Sequence, residues 1–196
     1  DYCNRKASWV LSEAMYLQSR MDTYPVIANA YGYRAEDGLT MRILLPTKSY
    51  DAIAIQGKRL NTALYQCKAK QLTVNTAYGS IALNNTDFQR AALSSETAGI
   101  HVERSRIHHL EIHNDSGDTV LFDNQLRYIR YFGDSGGLNA LTDKIKGIWE
   151  LSSDEGNIYI GTRKWHNNLL LQLSSDEGTV KAFSKTKPWK ETISEA

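Results

Sequence analysis

A chain of 196 residues, 41% of them hydrophobic, is long enough for one buried core and does not require a second. Its 23 Lys and Arg against 22 Asp and Glu leave a formal net charge of +1, which excludes a global field that would draw in nucleic acid or an anionic membrane. No apolar run approaches the roughly 18 residues of a membrane span, and the opening Asp1-Tyr2-Cys3-Asn4-Arg5-Lys6 lacks the apolar centre of a signal peptide, so any targeting segment is expected to be removed or never present.

From Arg5 to Asp22, Val10, Ala14, Leu17 and Met21 recur at i, i+4, i+7 and i+11 with Leu11 and Met15 beside them, which predicts an amphipathic helix stopped by Pro25. The period then becomes two. Leu39, Met41, Ile43 and Leu45 alternate with polar residues, as do Ile53 and Ile55 with their neighbours, and Glu36-Asp37-Gly38 and Gln56-Gly57-Lys58 read as turns. Further strand-like runs span Tyr65 to Val74 and Ser80 to Leu83. Thr86-Asp87-Phe88-Gln89 fits a capping box and predicts a short second helix from Asp87 to Ser95, ended by Ala98-Gly99.

The remainder reads as a meander. Asn114-Asp115-Ser116-Gly117, Asp154-Glu155-Gly156 and Asp176-Glu177-Gly178 are hairpin signals, flanked by apolar residues such as Trp149, Leu151, Leu169, Leu171 and Leu173. Ser-Ser-Asp-Glu-Gly occurs twice, from Ser152 and from Ser174. Two copies are too few for a solenoid, so the repetition reads as shared turn chemistry. The expected fold is α+β, an amphipathic N-terminal helix on a predominantly antiparallel sheet with one further short helix. A single domain spans 1–185, and 186–196 form a surface tail.

With two cysteines there is neither a CxxC pair nor a four-cysteine zinc site. A disulfide between Cys3 and Cys67 would tether the helix to the sheet and place the chain outside the cytoplasm, whereas two reduced core cysteines would suit the cytosol. Two N-x-S/T triplets, at Asn84 and Asn114, matter only in a eukaryotic secreted chain.

Gly133-Asp134-Ser135-Gly136-Gly137 matches the segment around the nucleophile of trypsin-like serine proteases. That family needs a histidine well upstream and a proline after the second glycine. Here His101, His108, His109 and His113 lie 22 to 34 positions before Ser135, Leu138 replaces the proline, and the stretch reads as a glycine-rich loop. On a strand, His109, Glu111, His113 and Asp115 would share one face, with His108, Leu110 and Ile112 on the other, and such a face can hold Zn²⁺ or simply meet solvent. Arg127, Tyr128, Arg130 and Tyr131 mix basic and aromatic residues as a single-strand nucleic-acid platform does, yet the neutral charge favours a structural strand. The four tryptophans, Trp9, Trp149, Trp165 and Trp189, read as packing residues. No phosphate loop, dinucleotide motif or H-E-x-x-H is present, so no cofactor is expected.

A helix ending near Tyr16, then Asp22-Thr23-Tyr24-Pro25 and an antiparallel meander, resembles the globular part of a type IV pilin or pseudopilin. The resemblance implies filament assembly and assigns no residue a role. The expected function is a non-enzymatic extracytoplasmic binding or assembly module working through another protein, by self-assembly or in a hetero-complex, without nucleic acid and without a membrane span. The alternatives are the pilin-like subunit and a hydrolase or metal-dependent enzyme using His109, Glu111 and His113 or Ser135.

Overall fold

A computed structural model describes the backbone of residues 8–11, 15–21 and 24–32 and, with side chains, residues 49–184. Three strands, β1 (Ser8–Leu11), β2 (Met15–Met21) and β3 (Tyr24–Gly32), come first. A nine-residue and a four-residue strand then alternate: β4 (Ser49–Gly57) and β5 (Thr62–Tyr65), β6 (Lys68–Thr76) and β7 (Ile81–Asn84), β8 (Asp87–Ser95) and β9 (Ile100–Glu103), β10 (Arg106–Asn114) and β11 (Thr119–Phe122). After β12 (Gln125–Gly133) come two long strands, β13 (Leu138–Ser153) and β14 (Ile158–Ser175), and the short β15 (Val180–Ser184).

Among β4 to β12 the long strands pair with long strands and the short with short, always in parallel, so the chain winds as a β-solenoid with one rung per turn. Residues stack at a separation of 19, Ile53 on Leu72, Ala91, Leu110 and Ile129. The separation grows to 20 where Ile129 meets Trp149 and to 22 where Ile158 meets Val180. β13 and β14 join the two stacks because their first halves continue the short column and their last halves the long one.

The core follows from side-chain direction. In β6, β10 and β12 the second, fifth and seventh residues point inward, as in Ile107, Leu110 and Ile112 or Leu126, Ile129 and Tyr131. Two consecutive outward residues between the second and fifth break the period of two and mark a bend in each rung. Removing each such apolar side chain from water stabilises by roughly 1.5–3 kcal/mol, and the columns repeat that gain rung after rung.

Two corners close each rung. At the first, Gly117, Gly136, Gly156 and Gly178 follow Ala98 in a column so close that a Cβ on Gly136 would lie 2.2 Å from the Gly117 carbonyl oxygen, and one on Gly156 2.1 Å from that of Gly136. The last residue of the long strand supports this corner: Thr76, Ser95, Ser153 and Ser175 each accept a hydrogen bond from the amide three residues on. At the second corner Gln66, Asn85, Arg104 and Asp123 hold left-handed φ of 47–55° in register. The buried Thr86, Ser105 and Asn124 beside them link the rungs, the Asn124 amide group donating to the Val102 carbonyl while Asn124 Oδ1 accepts from the Ser105 amide.

These observations correct the expected α+β fold. Among the described residues there is no helix: Ser8–Leu11 and Met15–Met21 are strands where the first was expected, and Asp87–Ser95 is β8 where the second was expected. Among the described residues the antiparallel arrangement is confined to β2, which pairs with β3 and with the edge of β4. Asn114–Gly117, Asp154–Gly156 and Asp176–Gly178 are corners between stacks rather than hairpins. The two Ser-Ser-Asp-Glu-Gly copies are adjacent rungs, Ser152 paired with Ser174 and Ser153 with Ser175. The run Leu39–Leu45, the tail 186–196 and Trp189 lie outside the described residues, and Trp9 is described by its backbone alone, in β1. Trp149 is a core residue.

Candidate binding face

The bend puts two side chains per rung on the outside, and at the middle of the stack these are basic or aromatic. In the fourth strand position Arg90, His109 and Tyr128 stack in register, and His108 and Arg127 occupy the position before them. The His109 and Tyr128 rings lie 4.5 Å apart and nearly parallel, with His108 tilted against both. Arg127 approaches His108 Nε2 to 3.2 Å and sits over the Tyr128 ring. Partial burial lowers the pKa of His109, helped by the positive charge of His108, Arg90 and Arg127.

The bend continues into the last rungs, where a register shift between Ile145 and Gly147 opens a recess lined by Arg127, Tyr128, Lys146, Gly147, His166 and Leu170. Gly147 is required there: its φ is +90° and a Cβ would lie 2.0 Å from the Arg127 carbonyl oxygen. Across the sheet, Arg130 is satisfied by Glu150 at 2.9 Å, and Glu111 by His113 at 3.4 Å.

The opposite end of the long strands carries the other sign. Asp115, Asp134, Asp154 and Asp176 follow one another at the glycine corner, bound through the backbone, with the Asp134 amide donating to the Asp115 carbonyl and the Asp176 amide to that of Asp154. A chain of net charge +1 therefore bears separated stripes, a local patterning that the total hides.

The residues singled out in the sequence are distributed as follows. Leu110 and Ile112 are buried while His109, Glu111 and His113 share the outer face, and His108 joins them outside because the bend interrupts the alternation. No group of three or more His, Cys, Asp or Glu is arranged to hold a metal among the described residues. Ser135 is an exposed corner residue whose amide donates to the Asp115 carbonyl, and none of the described histidines hydrogen-bonds it. His101 lies on β9, beside Glu103 at 3.8 Å, in the other stack. Of the aromatic and basic run, Tyr131 is fully buried, and its hydroxyl donates to the Gly136 carbonyl from the place that a side chain at Gly133 would fill. Arg90 and Lys146 escaped the sequence reading. The 19-residue step from Arg90 to His109 to Tyr128 is the signal that finds the first of them.

The expected disulfide is also corrected. Cys67 is a free, buried cysteine, and Cys3 lies outside the described residues. Burial pushes the Cys67 thiol up, which disfavours the thiolate that exchange chemistry needs. Nothing in the described residues then argues for an oxidising compartment. No helix among them is long and apolar enough to cross a membrane, which says nothing of β-barrels.

Parallel rungs, a stacked core and corner ladders define a repeat protein of the β-solenoid class. The chain belongs to the Toastrack DUF4097 family, whose model matches residues 17–195. No curated protein and no solved structure matches significantly.

Proposed function

We propose that the chain is a non-enzymatic binding or assembly module acting through protein–protein contacts on the outer face of the long-strand stack. The observation that carries this reading is the column of exposed and half-exposed groups at the bend, Arg127, Tyr128, Ile148, Lys146 and Leu170, held by a rigid ladder and leaving Leu170 51% exposed. Aromatic, aliphatic and arginine side chains side by side are the composition of a recognition surface, with polar groups as its rim. Nucleic acid fits this face poorly, because a phosphate backbone crossing the long strands would meet the aspartates at the glycine corner. The enzymatic alternative gains no geometry, since none of the described histidines hydrogen-bonds Ser135 and His113 is engaged by Glu111 and stacked on Phe132. The helix on which the pilin resemblance depended is a pair of strands.

A photocrosslinking residue placed at Tyr128 in the living source cell tests the reading. Discrete crosslinked protein products are expected from that position and not from Tyr65, which is 69% exposed on the other stack. Products from Tyr65 alone would overturn it.

A further inference from the structure

We infer that the partner of the basic bend is the acidic corner of a second copy of this chain, so that the module assembles with itself side by side. This inference rests on the protein–protein reading above. On one margin of the long-strand stack, successive rungs present His108, Arg127, Lys146 and His166; on the other they present Asp115, Asp134, Asp154 and Asp176. Both stripes are fixed to one rung spacing, about 4.8 Å, by the parallel ladder itself. A second copy with its axis aligned therefore meets base with acid at every rung, without adjustment of either backbone.

Each stripe alone is unfavourable. Like charges stacked on neighbouring strands repel, and at His109 beside the bend the charges of His108, Arg90 and Arg127 add to the burial that lowers its pKa. A complementary stripe relieves the repulsion on both sides at once. Apolar groups flank each stripe, Tyr128, Ile148 and Leu170 beside the basic one and Phe132, 43% exposed, beside the acidic one, so the contact has a centre that excludes water as well as a charged register. Because the two stripes are different surfaces, the contact is heterologous and propagates into a ring or an open row of subunits.

Sedimentation velocity on the purified chain tests this, at salt of about 20 mM and about 500 mM, where charge screening differs several-fold in range. Concentration-dependent association is expected at low salt and its loss at high salt. Arg127→Glu with Lys146→Glu should leave the chain monomeric at low salt, and so should Asp134→Lys with Asp154→Lys. An equimolar mixture of the two variants should associate again, since each then offers the stripe the other needs, and that rescue also shows that both fold. A wild-type chain monomeric at low salt up to hundreds of micromolar, association indifferent to both substitution pairs, or a mixture that stays monomeric overturns the inference. A monomeric chain that still crosslinks another protein at Tyr128 would leave the broader binding reading standing.

Discussion

At Gly136 and Ser135, adjacent residues of one corner, the structure assigns opposite sensitivities. A methyl group at Gly136 meets the Gly117 carbonyl oxygen at 2.2 Å, a backbone atom fixed by the rung below, so Gly136→Ala should lower stability by about 2–4 kcal/mol in chemical denaturation. Ser135 is exposed, and Ser135→Ala should change stability by less than about 0.5 kcal/mol in the same measurement. Equal effects at the two positions would contradict the stacked corner. Tyr131 adds a dependence on pH. Its burial, opposed by a hydrogen bond with Thr119 and reinforced by Asp118, pushes the phenol up to about 12. Below pH of about 10 both folded and unfolded chains keep the proton and the group contributes nothing to the slope. Between about 10 and 12 the unfolded chain gives it up while the folded chain holds it, so stability falls by about 1.4 kcal/mol per pH unit as pH rises. Tyr131→Phe should remove that part of the alkaline slope and cost about 1 kcal/mol at neutral pH, where the Gly136 carbonyl loses a donor. Denaturation midpoints of both forms from pH 9 to 12 separate this group from the lysines.

At the scale of the strand, β10 divides its side chains between core and outer face, and the two classes should respond differently. Ile112→Ala removes a fully buried side chain and should cost about 2–5 kcal/mol, whereas His113→Ala, on the outer face, should cost little. Comparable losses in thermal or chemical denaturation would show the faces to be misassigned. That division of Leu110 and Ile112 from Glu111 and His113 was legible in the sequence, because alternation holds after the bend. His108 was misplaced because the bend itself leaves no mark in the period. The same bend explains the helix expected over Asp87–Ser95. Phe88, Ala91 and Leu93 are buried at spacings of three and then two, and the first of these imitates a helical turn. The Thr86 hydroxyl, which a capping box would aim at an amide of its own segment, instead donates to Ser105 Oγ on the next rung. Turn residues were equally ambiguous: Asp-Ser-Gly and Asp-Glu-Gly serve a hairpin and a solenoid corner alike, since both need only a tight reversal of direction. The deciding clue was the recurrence of Ile107-Leu110-Ile112 as Leu126-Ile129-Tyr131, a separation of 19 that a search confined to identical pentapeptides does not reveal.

For the molecule as a whole, neighbouring rungs are the unit of stability, and a complete rung should be removable. Deleting 106–124 joins Ser105 to Gln125 and sets Gln125 on Asp87, the residue on which Arg106 now rests, with both corner columns unbroken. That variant should remain a cooperatively folded β protein of reduced stability by circular dichroism and denaturation, whereas removing about ten residues from the same place should abolish folding, because inward residues would turn outward. Survival of the half-rung deletion, or collapse of the full one, would contradict the nearest-neighbour picture. The constant separation between stacked residues also bears on how the chain reaches its fold. A sheet protein usually searches for partners far along the chain, and the search slows as those distances lengthen. From β4 onward the partner of a residue on the next rung is about 20 positions away, and each new loop closure costs a similar entropy of roughly 3 kcal/mol. Once two turns have met, the third finds a template already in place, and growth proceeds like a zipper at a nearly uniform pace from whichever pair met first. An all-β chain thereby acquires the local search that is usually the privilege of helical bundles.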